Sequence, residues 1–306
     1  MLSIIALSFA LAGTVSQTGL PEVARSWGPY YTIQTASSEA GHVLADRLAA
    51  KGSNVIVIDI QTGGGKLAYD SPHPLSQSLG NYSTAIKNPR MMVQEYHDKG
   101  FYVIARFVLF KEWYLAQKKP EWNLREKSNG RPYETREGQT WLDASDKELS
   151  QYLIEISEEL ASLGFDEIQY DYVRFPEAGK GGVIYYTFDD DGVQSRDEVI
   201  TSFVAEAAEH LHKMDVKVSL DVFGVVVWND LDWRLIGQNI PELAKHVDYF
   251  SPMAYPSHFQ DGFAGYKDPG AEEYEITKKS MEKFLWQTLG TGVKFSPWLQ
   301  GFALDT

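Results

Sequence analysis

Hydrophobic positions recur along the chain in two alternating patterns. Short apolar runs rich in β-branched and aromatic residues are separated by longer stretches with apolar residues at helical spacing. Runs of the first kind are typical of strands, and they cover residues 30–36, 54–60, 101–110, 167–175, 217–224, 248–255 and 294–302. Because strands that alternate with helices form a parallel sheet covered by helices, the pattern predicts an α/β protein.

The polar residues at the ends of the amphipathic stretches predict where the helices begin and end. Ser145 and Ser195 are each followed three positions later by glutamate, the spacing of a capping box. Asn88 precedes a proline, which favours a third helix start, and Gly164 lies where a left-handed C-cap is expected. These signals place helices between the predicted strands.

The predicted architecture is a (β/α)₈ TIM barrel formed by one domain over residues 25–306. The seven apolar runs are one fewer than the barrel requires. Either the last strand and helix are lacking in this chain, or a strand lies unnoticed in residues 61–87. Polar residues recur at the C-terminal ends of the runs, where barrel enzymes have their active sites, which favours a barrel over a doubly wound open sheet.

Alternation along the strands selects two aspartates as catalytic candidates. In the run 167–175, Tyr170 is expected to face the helices, while Glu167, Gln169 and Asp171 face the barrel interior. The same parity places Asp221 inward near the end of the next strand. Neighbouring strands lie about 4.8 Å apart, so the two carboxyl groups are expected within roughly 5–6 Å, the separation found in retaining glycosidases.

Other polar and aromatic side chains at the strand ends form a candidate substrate-binding set. Carboxylates, aromatic faces, arginine and amide groups are the combination that a sugar site uses. The set consists of Asp59, Arg106, Gln169, Arg174, Tyr255, His258, Trp298 and Gln300. Each has a structural alternative: Arg106 can serve only to neutralise buried aspartates, Trp298 can be core packing, and His258 can be an ordinary loop histidine.

Composition narrows the partners and the chemistry. The net charge of −14 argues against nucleic acid and anionic membranes as partners, and the absence of cysteine excludes disulfides, zinc–thiolate sites and thiol nucleophiles. Residues 62–69 lack the spacing of a phosphate loop, and residues 189–192 lack the rest of a calcium loop. We predict no metal and no cofactor, with a divalent ion held by the clustered aspartates as the alternative.

The chain begins with an apolar run followed by small residues. Residues 1–17 are expected to form a signal peptide, which predicts a secreted or cell-envelope protein. The alternative is a truncated chain start or a buried segment. No other segment is predicted to span a bilayer, so no membrane span is expected in the mature chain.

Several blocks together resemble the putative glycoside hydrolase domain family of mostly bacterial TIM-barrel proteins. The resemblance lies in "GFDEIQYDYVRFP", "VIVIDIQTGGGKLAYDS", "GFYVIARFVLFKE", "VSLDVFG", "IGQNI", "DYFSPMAYPSHF" and "PWLQGF", which occur in the family's order over roughly residues 54–302. It implies a barrel distantly similar to the α-amylase-like glycosidases, with a nucleophilic aspartate after strand four and an acid/base carboxylate after strand five. Asp171 and Asp221 match those positions by strand count.

The chain also departs from the amylase-like pattern. Gln169 stands where those enzymes have arginine, and Asp221 is shorter than their usual glutamate. The predicted function is retaining hydrolysis of a polysaccharide or cell-surface glycan by the two aspartates. The alternatives are a non-catalytic glycan-binding barrel and a metal-dependent hydrolase.

Overall fold

A curled sheet of parallel strands forms the centre of the protein. The computed structural model describes residues 7–10, 26–62, 64–177, 184–185, 194–255 and 258–299. The strands are β1 Leu7–Ala10, β2 Ser26–Tyr31, β3 Val55–Asp59, β4 Tyr102–Val108, β5 Arg125–Glu126, β6 Glu167–Asp171, β7 Ile184–Tyr185, β8 Lys217–Phe223, β9 Tyr249–Met253, β10 Lys294–Phe295 and β11 Trp298–Leu299. The helices are α1 Ile33–Ala36, α2 Glu39–Ala49, α3 Pro74–Leu79, α4 Pro89–Asp98, α5 Tyr114–Lys118, α6 Lys147–Leu163, α7 Arg196–Lys213, α8 Asp230–Ile236, α9 Ile240–Leu243 and α10 Glu273–Gln287.

The order of the strands is that of a partial TIM barrel. The main sheet runs β10-β9-β8-β6-β4-β3-β2-β1-β11, and the seven strands from β10 to β2 pair in parallel. β1 lies antiparallel between β2 and β11, and β5 pairs with β7 outside this sheet. The predicted barrel with an incomplete set of parallel strands is therefore confirmed.

Most predicted element positions agree with the structure. The exceptions are the capping box at Ser145, the strand 30–36 and the strand 294–302, which is divided into β10 and β11. The predicted capping box at Ser195 is present. The predicted capping box at Ser145 is wrong, because the N-cap of α6 is Asp146, whose carboxylate accepts from the Leu149 N–H at 2.9 Å. The predicted strand 30–36 was placed too late, since residues 33–36 form a helix. In the described part of residues 61–87 there is a helix and isolated bridges, but no strand.

The two faces of the sheet carry the side chains that strand parity predicts. Tyr170 is fully buried on the helix side, where its hydroxyl donates to Ser157 of α6 at 2.8 Å. The helix-side core is large, whereas a separate and smaller apolar cluster fills the barrel interior around Val57, Ile104 and Trp298. This inner cluster lies against the carboxyl ends of the strands, where the polar residues collect.

Within residues 1–17, the structure describes only strand β1. Residues 7–10 lie within the predicted signal peptide, and they extend the sheet beside Pro29 and Leu299. The rest of residues 1–17 lies outside the described residues, as does the 189–192 segment considered for calcium, so the signal peptide stays a prediction. Among the helices that the structure describes, none is long and apolar enough to cross a membrane.

Candidate active site

Four charged residues meet at the carboxyl ends of adjacent strands. Asp59 of β3 is in register with Arg106 of β4. The β6–β8 register pairs Tyr170 with Leu220, so Asp171 and Asp221 follow it at facing positions on neighbouring strands. Since facing residues in a sheet point to the same side, the two carboxyl groups stand side by side, as the sequence predicted.

The guanidinium of Arg106 is the shared counter-ion of three carboxylates. Its Nη1 donates to Asp59 at 2.6 Å, its Nη2 donates to Asp171, and its Nε lies 3.7 Å from Asp221 Oδ2. Burial lowers the pKa of Arg106, but the three carboxylates outweigh burial and raise it well above its usual value. Arg106 therefore stays charged and holds the aspartates together.

Asp221 is the most deeply buried of these acids, with 1% of the residue exposed. Its Oδ1 accepts a hydrogen bond from the indole N–H of Trp298 at 2.7 Å. Burial, and then the negative charge of Asp171, raises the pKa of Asp221 well above the usual aspartate value, although Arg106 and Trp298 oppose the shift. Because Trp298 occupies Oδ1, a proton on this carboxyl group belongs on Oδ2.

Asp171 is fixed from both sides at the point where β6 ends. One carboxylate oxygen accepts from Arg106, and the other accepts from the Tyr172 backbone N–H at 2.7 Å. Tyr172 has φ of 52°, a left-handed conformation that non-glycine residues seldom adopt. Unusual backbone of this kind concentrates at functional sites, and here it turns the chain sharply after the carboxylate.

A cavity of about 210 Å³ opens over the paired aspartates. It is lined by Asp171, Asp221, Arg106, Met253 and the aromatic residues Tyr30, Tyr255 and Trp298. Burial, together with nearby aspartates, raises the pKa of both tyrosine hydroxyls, which keeps them neutral hydrogen-bond donors. The site thus offers two carboxylates, one cation and aromatic faces to a small polar ligand.

Of the predicted substrate-binding residues, Asp59, Arg106, Tyr255 and Trp298 lie at this site. Gln169 lies one layer deeper, buried, and its amide donates to Ser251 at 2.7 Å. Arg174 is buried among the rings of Trp141 and Phe223 and donates to the Phe175 carbonyl. Their binding roles stay predictions.

His258 and Gln300 are not part of the described cavity over the aspartates. His258 packs edge-on against Tyr255 with ring centroids 4.8 Å apart, and it lines a different cavity beside Phe223. Burial lowers the pKa of His258. Gln300 lies outside the described residues.

Tyr30 is a site residue that the sequence did not reveal. Its hydroxyl donates to Asp59, its ring lies edge-on to Trp298 at 5.9 Å, and the Arg106 guanidinium sits 5.7 Å from the ring centroid. Tyr30 is the first residue of the predicted run 30–36, whereas it lies near the end of the observed strand β2, so the misplaced strand concealed its position at the carboxyl edge of the sheet. Parity alone did not favour it over Tyr31, which faces the helices.

The Arg106 guanidinium is the cation that all three aspartates contact. Asp59, Asp171 and Asp221 all direct oxygens at this group. Among the residues that the structure describes, no group of three acidic or histidine side chains could hold a metal ion.

The loop after β3 packs against the loop after β4 at a contact that only glycine permits. Gly65 has φ of +90°, and an added Cβ would lie 1.5 Å from Glu112 Oε1. Glu112 is buried and accepts from the N–H groups of Tyr114 and Leu115. Burial raises the pKa of the Glu112 carboxyl group to about 7, although these hydrogen bonds oppose the shift.

Gly65→Ala is expected to lower the free energy of unfolding by about 3–5 kcal/mol, because backbone strain adds to displacement of the Glu112 carboxylate. Gly52→Ala is the matched control: Gly52 has φ of +89° with open space around it, so only the strain of about 1–2 kcal/mol applies. Urea denaturation of both variants measures the difference. Equal losses would show that the Glu112 contact is not tight.

Comparison with known proteins identifies the family. Residues 28–306 match the family model described as "Putative glycosyl hydrolase domain". A hypothetical protein from Ruminiclostridium thermocellum ATCC 27405 is 34% identical, with a TM-score of 0.56 over 63% of this chain and 96% of that one. A comparison with curated proteins gives no match.

Two glycan-active proteins share the fold at low identity. The PgaB (BpsB) glycoside hydrolase domain from Bordetella bronchiseptica superposes with a TM-score of 0.59 at 12% identity, over 86% of this chain and 80% of that one. A cycloisomaltooligosaccharide glucanotransferase from Paenibacillus sp. has a TM-score of 0.54 at 14% identity, over 83% of this chain and 35% of that one. The family match, with these folds beside it, leads to one conclusion: the chain belongs to the "Putative glycosyl hydrolase domain" family and is a glycoside hydrolase built on a partial TIM barrel.

Proposed function

We propose that the protein hydrolyses a glycosidic bond of a polysaccharide or cell-surface glycan with retention of configuration, using Asp171 and Asp221. The main support is that these residues occupy facing positions on neighbouring strands and contact the same guanidinium. Facing strands lie about 4.8 Å apart. Retaining glycosidases have carboxyl groups about 5–5.5 Å apart, whereas inverting ones need a wider gap for water.

In the first step, a carboxylate oxygen of Asp171 forms a bond to the anomeric carbon while the glycosidic C–O bond breaks. Asp221 gives its proton to the departing oxygen. In the second step, Asp221 takes a proton from water, the water oxygen bonds to the anomeric carbon, and the bond to Asp171 breaks. The environments of the two acids suit these roles: Asp171 is paired with Arg106, while burial raises the pKa of Asp221.

The experiment is a hydrolysis screen on defined glycans, followed by proton NMR of the first anomer released. Retention is expected, since carboxyl groups at facing positions on strands about 4.8 Å apart would leave no room for the water of an inverting mechanism. Release of the inverted anomer would contradict the paired-aspartate mechanism. Binding of glycans with no release of sugar would favour the alternative of a non-catalytic binding barrel.

The pH dependence of hydrolysis follows from Asp221. The acid must hold its proton in the first step, so kcat/KM is expected to be high below the raised pKa of Asp221 and to fall as pH rises through it. A pH–rate profile of the wild-type enzyme on an unactivated glycoside measures this basic limb. A rate that keeps rising into the alkaline range would contradict the assignment of Asp221 as the acid.

We also propose that the enzyme acts outside the cytoplasm, on the basis of the leader-like residues 1–17. Expression in a bacterial host, with mass spectrometry of the exported and retained protein, tests this. Export with cleavage near residue 17 is expected. Retention of the intact chain in the cytoplasm would contradict it and would favour the buried-segment alternative, in which β1 stays in the sheet.

A further inference from the structure

A second cavity adjoins the one over the paired aspartates. It has a volume of about 350 Å³, and Arg106 lines both cavities. Asp59, which Arg106 and Tyr30 hold by hydrogen bonds, also faces the second cavity. Ligand pockets usually measure about 300–1,000 Å³, so the catalytic cavity alone is small and the two together make a cleft of ordinary size.

The lining of this second cavity is polar, with neutral groups beside charges of both signs. Its uncharged polar side chains are Gln61, Thr62, Gln139 and Thr140, and its charged ones are Asp59, Arg106, Lys111 and Glu112. The Gln61 carbonyl oxygen accepts from the Val108 N–H at 2.7 Å, and its amide donates to the Gly65 carbonyl at 3.5 Å, which fixes the side chain and leaves one amide N–H as an available donor. Donors and acceptors mixed in this way, with two charges of each sign, can hydrogen-bond the hydroxyl groups of a neutral sugar.

Trp113 adds an aromatic face to the cavity. Half of the residue is exposed to solvent (50%), although large aromatic side chains are normally buried. The backbone on both sides of it is fixed, because Glu112 accepts from the N–H groups of Tyr114 and Leu115, and Thr140 donates to the Glu112 carbonyl at 2.8 Å. An exposed ring on a fixed stretch of backbone is available to stack on a flat apolar surface such as a pyranose face.

We propose that this cavity is a second sugar subsite, in which Trp113 is the platform for a sugar unit linked to the one over Asp171 and Asp221. This inference rests on the proposed function and extends it: the substrate is an oligosaccharide or polysaccharide, and a single glycosyl unit fills only part of the cleft. Nothing in the catalytic step itself requires Trp113. Its contribution is to binding of the longer chain.

The test measures binding in the Asp171→Asn background, where turnover does not interfere. Calorimetric titration uses hexasaccharides of α-1,4-glucose, β-1,4-glucose and β-1,4-N-acetylglucosamine, with the corresponding methyl monoglycosides beside them. Trp113→Ala is expected to weaken binding of the recognised hexasaccharide by about tenfold. Trp113→Tyr should restore most of the affinity, and the monoglycoside affinity should not change.

Trp286→Ala is the matched control, since Trp286 is a 75% exposed tryptophan on α10 outside both cavities, and it should leave all affinities unchanged. Hexasaccharide affinity that Trp113→Ala leaves within about twofold, or no hexasaccharide binding at all, would overturn the subsite. Trp113-dependent binding without hydrolysis by the wild type would overturn the proposed function and leave the subsite standing. Hydrolysis by the wild type, together with hexasaccharide affinity that does not depend on Trp113, would overturn the subsite and leave the proposed function standing.

Discussion

Asp171→Asn is expected to reduce kcat/KM for glycan hydrolysis on the order of 10⁴-fold or more, because the amide cannot form the glycosyl ester. The overall fold should persist with some loss of stability, since Arg106 and the Tyr172 N–H bind different oxygens of Asp171 and the single amide oxygen of asparagine can accept from only one of them. The measurement is initial-rate kinetics on the best glycan from the screen. An aryl glycoside with a good leaving group should show the same loss, because nucleophilic attack is needed for either substrate.

Asp221→Asn should behave differently on the two substrates. Loss of the general acid is expected to cost about 10²–10⁴-fold on the natural linkage and much less on the activated aryl glycoside. Stability should not fall at neutral pH. The folded-state pKa of Asp221 is raised, so its contribution to stability is lost as pH rises through that pKa, and asparagine removes this cost.

Asp166→Asn is the control for both variants. Asp166 lies in the same segment but before β6, where it pairs with His97 at 2.8 Å and accepts from the Val103 N–H at 2.7 Å. Its replacement should lower stability by about 1–3 kcal/mol and leave kcat unchanged. If all three variants release sugar at the wild-type rate, the assignment of Asp171 and Asp221 is wrong.

Arg106→Met is expected to lower the free energy of unfolding by about 3–5 kcal/mol at neutral pH. Removing one partner of a largely buried ion pair leaves its counter-charges uncompensated, and here Asp59 and Asp171 lose their cation. Urea denaturation of the variant and the wild type at neutral pH measures the loss.

A second substitution separates charge from packing. Asp59→Asn added to Arg106→Met should recover part of the lost stability, since it removes one of the unpaired carboxylates, and a double-mutant cycle gives the coupling. Arg47→Met, at an exposed position in the last turn of α2, should change stability by less than about 0.5 kcal/mol. An Arg106→Met loss that Asp59→Asn does not reduce would mean that the Arg106 side chain matters mainly through packing.

The sequence predicted the barrel and the neighbouring positions of Asp171 and Asp221 because both depend on local periodicity. Strand alternation placed Tyr170 outward and Asp171 inward, and the β6–β8 register then brought Asp221 beside it, as chain order in a barrel implies. The sequence signals for helix ends were also local. Gly164 is the C-cap of α6 in the left-handed conformation, and Ser195 forms the predicted capping box of α7. The predicted start of a helix can be wrong by one residue where two adjacent residues are both suitable N-caps, as Ser145 and Asp146 are.

Contacts between segments distant in sequence were beyond such local patterns. Tyr30 of β2 donates to Asp59 of the neighbouring strand β3, and Gly65 lets the loop after β3 approach the loop that carries Glu112 and Trp113. The "TGGGKLAY" segment gave no usable signal as a motif, since its glycine serves a steric purpose that depends on Glu112. Trp298 is both a packing residue and a site residue: it belongs to the inner cluster and also holds Asp221.

The single guanidinium among three carboxylates has a consequence for the reaction cycle. In the proposed mechanism Asp171 becomes a neutral ester, so its negative charge would disappear from beside Asp221 and the attraction of Arg106 would be shared between fewer anions. Both changes stabilise the ionised form of Asp221, so the pKa of that carboxyl group falls once the intermediate forms. The group that must release a proton in the first half-reaction is thereby converted into one ready to receive a proton in the second, with no movement of the backbone.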